Sequence, residues 1–275
     1  MENSTIGIAQ DRPLARLVIL AAVALVMAGG ALLLEPIAQS QAFHDFAEQR
    51  TLLGIPNFGD VVTNIAYFGT AVSGFAFLAS RAGRAVLASY EDRLPYIVFF
   101  AAVGAISVGS AYYHADPSNQ TLLWDRLPMA IAFAAMLAAF VADRISSRAG
   151  SLVVLPLAIA LGVASLMYWY IGEAAGRGDL RFYFLVQAFA FLLIPLTCVL
   201  FRGRNTSGNL VLSILLLYSL GVACEQFDKR IFELLGGTVS GHTIKHILTA
   251  AAIYLVIPML RRSKRGRLHS AGMST

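Results

Sequence analysis

Pro95-Tyr-Ile-Val-Phe-Phe-Ala-Ala-Val-Gly-Ala-Ile-Ser-Val-Gly-Ser110-Ala-Tyr-Tyr-His114 decides the fold. It carries no charged residue before its terminal histidine. As a helix, a run of about twenty residues spans the roughly 30 Å hydrocarbon core of a bilayer. A transmembrane strand would alternate apolar and polar positions, and this stretch does not. Comparable apolar blocks fall at 15–35, 60–80, 126–142, 151–171, 181–201, 209–227 and 241–260. The chain therefore reads as an all-α membrane protein with eight spans. Composition agrees: 57% of the residues are apolar and 13% charged, against roughly 45–50% and about 25% in ordinary soluble domains. Cys198 and Cys224 both lie inside apolar blocks and suggest neither a disulfide framework nor a thiolate metal site.

The connecting segments alternate in charge. Arg81, Arg84, Arg93, Arg144, Arg148, Arg202, Arg204 and the terminal Arg261-Arg-Ser-Lys-Arg-Gly-Arg267 share one side of the eight-span arrangement, with Arg12 and Arg16. The positive-inside rule makes that side cytoplasmic and puts both termini there. Directly after a span, the basic tail reads as an anchor on anionic lipid and not as a nucleic-acid site. The expected location is a bacterial inner membrane. The first block competes with a signal peptide, since Ser40-Gln-Ala42 resembles a cleavage site, but its apolar run exceeds a usual signal core. The expected division is a cytoplasmic N-terminus (1–14), an additional N-terminal helix or signal peptide (15–35), an outer cap segment (36–59), a seven-helix membrane domain (60–261) and a basic cytoplasmic tail (262–275).

Polar residues inside apolar spans are costly and mark functional sites. Ser110 and His114 are four apart and share a helix face, and His242 and His246 repeat the spacing. Asp125 opens the fourth block after the turn-forming Ala115-Asp-Pro-Ser-Asn-Gln120. The alternation of spans brings all five residues to the outer side. Three neutral imidazoles with an open position suit zinc, which acidifies water and polarises a carbonyl. Asp125 is then a proton acceptor and Ser110 a donor to an oxyanion. His44 lies in the cap and is not expected to join the ligands; His269 lies in the tail on the opposite side. Glu225 and Asp228 are candidates for contacting a polar headgroup, against the plainer reading of a solvated helix end. Tyr168, Trp169 and Tyr170 read as an interface belt.

Three stretches carry a family resemblance: Gly109-Ser-Ala-Tyr-Tyr-His114, Leu123-Trp-Asp-Arg-Leu-Pro-Met129 and Ser240-Gly-His-Thr-Ile-Lys-His246. They resemble the motifs of alkaline ceramidases of bacterial type, within the CREST superfamily of seven-helix membrane hydrolases. The likeness covers roughly 43–262 and leaves the first block as an addition to a CREST-like seven-helix bundle. It implies a zinc-dependent amidase, with His114, His242 and His246 as ligands and Ser110 and Asp125 as catalytic residues. The implied substrate is ceramide or a related N-acyl lipid within the bilayer, cleaved to a sphingoid-type amine and a fatty acid. Eukaryotic members also bind calcium in the segment before the core. Asp45, Glu48 and Asn57 correspond here, but sparser acids and shifted spacing argue against a calcium site. Gly54-Ile-Pro-Asn57 and Asn64 resemble the bacterial form of that segment. The alternative is a non-catalytic, zinc-containing receptor or sensor of the same superfamily. A transporter fits less well, because the inner halves of the spans lack polar groups.

Overall fold

A computed structural model describes residues 13–206 and 208–262. Nearly all of the expected N-terminal segment (1–14) and basic tail (262–275), His269 included, lie outside the described residues. The helices are α1 (Pro13–Leu33), α2 (Phe58–Val62), α3 (Ile65–Ala79), α4 (Arg81–Val86), α5 (Tyr90–Ala115) and α6 (Asn119–Arg144). They continue as α7 (Leu155–Ala174), α8 (Arg181–Leu200), α9 (Gly208–Gln226), α10 (Asp228–Leu234), α11 (Gly241–Tyr254) and α12 (Val256–Arg261). A π-helical turn, Ala149–Val154, leads into α7. Among the described residues there is no strand, only an isolated bridge between Leu52 and Ile55. Eight helical segments are long and apolar enough to cross a membrane; α2 with α3, and α11 with α12, each make one of them. Helices are the form expected of such segments, because lipid offers backbone groups no partner.

Six of the spans close a ring: α3 packs on α5, α5 on α6, α6 on α8, α8 on α9, α9 on α11, and α11 on α3. These six, with the cap segment, line a cavity of about 540 Å³. The span of α7 braces α6 and α8 from outside the ring, and α1 packs against α8. Only Ala31 of α1 is buried. The chain leaving α1 is tied down by the α7–α8 loop, where Leu180 N donates to Ile37 O at 2.8 Å and Ile37 N to Asp179 Oδ1 at 3.3 Å. Arg181 holds Asp179 and reaches the Leu34 carbonyl.

Two boundaries differ from the sequence reading in ways that matter. The fourth block was expected from 126, but α6 begins at Asn119. Ser118 and Thr121 form a reciprocal capping box that starts the helix in polar sequence. Asp125 is consequently carried more than a turn inside α6. The second span is broken between α2 and α3 at Thr63 and Asn64. There Thr63 Oγ1 donates to Gly59 O and Asn64 Nδ2 to Asp60 O, both at 2.7 Å; the Asn64 side chain takes the carbonyl its own amide would otherwise use, and that amide turns to Val61 O.

Close approach of α5 and α6 needs a glycine. A Cβ at Gly109 would collide with the carbonyl oxygen of Trp124, beside both Ser110 and Asp125. Gly104, one and a half turns earlier, faces only the Ala71 Cβ at 3.6 Å, an ordinary contact. Gly109→Ala is therefore expected to destabilise the protein by about 1–3 kcal/mol, as overpacking does. Gly104→Ala should be neutral or mildly stabilising. Melting temperatures of the two variants in one detergent check this; equal values would show that the α5–α6 contact does not depend on Gly109.

Candidate metal centre and active site

The ends of three spans meet at one pole of the bundle. His114 lies in the last turn of α5, and His242 and His246 lie in the first turns of α11. All three are buried, and their candidate ligand nitrogens lie within 4.8 Å of one another. His114 Nε2 faces His242 Nε2 at 3.1 Å. The ring of Phe46, from the cap, packs edge-on against both, with centroids at 4.7 and 4.6 Å. Water is thereby kept from one side of the cluster.

Surrounding groups assign the tautomers of His246 and His242. Thr63 Oγ1 gives its one proton to Gly59 O and lies 3.0 Å from His246 Nδ1. It must therefore accept from Nδ1–H, which leaves the lone pair on Nε2. The Lys245 ammonium lies 3.2 Å from His242 Nε2 and 2.7 Å from Glu225 Oε1. An ammonium only donates, so His242 Nε2 is also an acceptor. His242 Nδ1 lies 3.3 Å from Glu225 Oε1, close enough for attraction but not aligned as a hydrogen bond. His114 Nδ1 is buried without a partner. Three buried imidazoles whose candidate ligand nitrogens cluster this closely could hold a metal ion, and no other set of three or more histidines, cysteines or acids among the described residues does so.

The backbone carrying the histidine pair is held by acids. Ser240 caps α11 through Thr243 N at 2.9 Å. Asp60 Oδ1, fully buried, accepts from Ser240 Oγ at 3.0 Å and Thr243 Oγ1 at 2.6 Å. Asp228 Oδ1 accepts from His242 N and its Oδ2 from Ala47 N, both at 2.8 Å. Both carboxylates stand at the positive end of the helix dipole.

Ser110 and Asp125 both line the cavity beside His246, Lys245 and Glu225. Asp228 is engaged by the two backbone amides just described. Its neighbours turn elsewhere, Lys229 to Asp45 and Arg230 to Glu233. Asp45, Glu48 and Asn57 each have separate partners: Asp45 holds Lys229, Glu48 holds Arg50, and Asn57 Nδ2 donates to His114 O at 2.7 Å. Burial pushes the Glu48 carboxyl up, but the hydrogen bonds and charge of Arg50 outweigh it and hold Glu48 below the usual carboxylate range. His44 bonds Tyr113 Oη at 2.8 Å and Asn119 Oδ1 at 2.9 Å, away from the cluster. Trp169 is wholly buried, not part of an exposed belt, whereas Tyr168 is exposed. Thr63, Phe46 and Lys245 are additions to the site. Lys245 stood within a quoted motif; Thr63 and Phe46 carried no spacing signal.

The cavity has a polar pole and an apolar barrel. Past Ser110 and Asp125 its walls are Phe99, Ile106, Met129, Phe133, Met136 and Phe140, faced by Ile194, Val211, Ile214 and Val256. From Asp125 to Phe140, α6 rises about 22 Å at 1.5 Å per residue. That length and lining suit an acyl chain.

Fold and site together define an all-α membrane protein with a buried three-histidine cluster at the head of an apolar cavity. A family model described as Ceramidase matches residues 55–270, and the chain belongs to the ceramidase family. Family membership implies hydrolysis of ceramide amides, and the cavity and histidine cluster are compatible with a metal-dependent form of it. No curated protein and no solved structure matches the chain.

Thr63→Val should lower affinity for a divalent metal by about 10–100-fold, the usual effect of losing a group that orients a ligand. Thr63→Ser should retain it. Competition with a chromogenic chelator measures both; unchanged affinity in the valine variant would remove Thr63 from the metal centre.

Proposed function

We propose that the protein is a zinc-dependent intramembrane amide hydrolase that cleaves ceramide or a related N-acyl lipid to a fatty acid and a sphingoid-type amine. The observation that carries the reading is that Ser110, Asp125 and His246 line one cavity with a long apolar barrel. His114, His242 and His246 would hold the ion. Bound there, zinc supplies polarisation of a carbonyl and acidification of a water. Asp125 accepts the proton of the water that attacks the amide carbon. Ser110, which lines the cavity with Asp125, donates its hydroxyl to the carbonyl oxygen as negative charge develops there. The C–N bond then breaks, and Asp125 returns its proton to the departing amine nitrogen. The barrel seats the acyl chain, so that binding along the chain orients the amide at the polar pole.

We further propose that this pole faces the outer, periplasmic side of an inner membrane, with both termini cytoplasmic. The support is the concentration of arginines at the opposite end, including Arg81, Arg84, Arg144 and Arg204. Glu225, beside Lys245 on the cavity wall, is placed to meet the polar part of the lipid.

Purified protein assayed on N-acyl lipids, with bound zinc quantified, tests the mechanism. Asp125→Asn is expected to lose turnover by at least about 100-fold while keeping zinc, the scale of general-base catalysis. His242→Ala should lose both. Stoichiometric zinc with no turnover on any lipid amide would refute the hydrolase and leave a receptor; absence of zinc would refute the metal centre.

A further inference from the structure

Arg126 is 5% exposed yet has no hydrogen bond or ion pair among the described residues, and its Nη1 is buried without a partner. The other arginines in the body of the protein are differently placed. Arg144 donates to Phe201 O and Thr206, Arg181 holds Asp179, Arg204 holds Asp92, and Arg50 holds Glu48. Arg126 instead has its guanidinium carbon near three aromatic rings: Phe43 at 5.2 Å, Trp169 at 5.0 Å and Tyr183 at 5.2 Å. Such contacts hold a cation through its charge. They leave the in-plane N–H donors of the guanidinium fork unused, and that fork matches the two oxygens of a carboxylate, phosphate or sulfonate. Asp125 is within electrostatic reach of Arg126 but forms no ion pair or hydrogen bond with it; a desolvated cation whose donors are unmet is costly and signals a partner supplied from elsewhere.

Arg126 lines the same cavity as Ser110 and Asp125, at the end covered by Ile37–Phe43 of the cap. Successive residues of a helix point about 100° apart, and Arg126 makes no ion pair with Asp125. Its donors are therefore free for a part of the lipid other than the scissile amide. Gln39, on the same wall, also has a buried and unpartnered Oε1, an acceptor for a headgroup hydroxyl. We infer that Arg126 is an oxyanion subsite, and that this protein prefers, over neutral ceramide, N-acyl lipids whose amine portion carries a carboxylate, phosphate or sulfonate. The inference rests on the amide-hydrolase reading and narrows it, because neutral ceramide offers a guanidinium no anion.

The test uses the full-length, zinc-loaded protein and three lipids with one acyl chain: ceramide, ceramide 1-phosphate and N-palmitoylserine. At least one anionic lipid is expected to exceed ceramide in kcat/KM by about 10–100-fold, the range of a charge-assisted hydrogen bond. Arg126→Gln should collapse that ratio toward one, and Arg126→Lys should keep part of it. Melting temperatures identify any variant that fails to fold. A wild-type preference for ceramide, or equal losses on all three lipids, would overturn the inference and leave Arg126 a packing residue. Loss of inhibition by palmitate with the substrate ratio intact would also overturn it, by assigning Arg126 to the product carboxylate. If the wild type hydrolyses nothing, the hydrolase reading fails. Binding of ceramide 1-phosphate, followed by tryptophan fluorescence in wild type and Arg126→Gln, then decides the subsite alone: equal affinity overturns it, and weaker binding in the variant supports it.

Discussion

The N-terminus of α11 is held by two carboxylates, one buried and one half-buried, and the geometry of the site depends on that attachment. Asp60 binds the Ser240 and Thr243 hydroxyls, while Asp228 binds the His242 amide and, through its second oxygen, the cap at Ala47. One helix end is thereby fixed to the second span, to α10 and to the cap segment at once. The first turns of that helix carry His242 and His246, so their approach to His114 follows from where the helix starts. Placing acids there is favourable because unpaired amides and the helix dipole make the end positive.

Close approach of backbones completes the arrangement. Gly109 lets α5 run against the Trp124 carbonyl, and Gly241 lets α11 run against the Cys224 carbonyl. In lipid, association of helices relies on packing and interhelical hydrogen bonds, which small residues permit. Each of these glycines adjoins a residue of the site, Ser110 in one case and His242 in the other. The same two contacts that hold the ring of helices together thus set the positions of the polar groups inside it.

The cavity joins a polar pole to an apolar barrel, and the cap segment closes the pole. Phe46 seals the histidines, while Phe43 and the chain from Ile37 cover Arg126. A lipid amide at the pole would meet groups of both signs, with Asp125 and Glu225 on one hand and Lys245 and Arg126 on the other. Lys245 is already paired with Glu225. Arg126 forms no ion pair, and its Nη1 is left without a hydrogen-bond partner.

The spans were legible because lipid imposes long apolar runs. Ser110, His114, Asp125, His242 and His246 were legible as polar groups breaking those runs, and the alternation of spans was enough to expect them at one pole. Fine boundaries were not: the capping box at Ser118 and Thr121 extends α6 into polar sequence, and Thr63 and Asn64 break the second span by local hydrogen bonds. Nor were the partners. That Asp228 clasps an amide, that Asp45, Glu48 and Asn57 turn to separate partners, that Thr63 orients His246 and that Arg126 lies against three aromatic rings are facts of side chains distant in sequence. Hydropathy and charge along the chain determine which segments enter the membrane, since that is a transfer free energy summed over neighbours. Which polar groups meet, and which one is left unpaired, was decided only by tertiary packing, where hydrogen bonds depend on distances of a few tenths of an ångström.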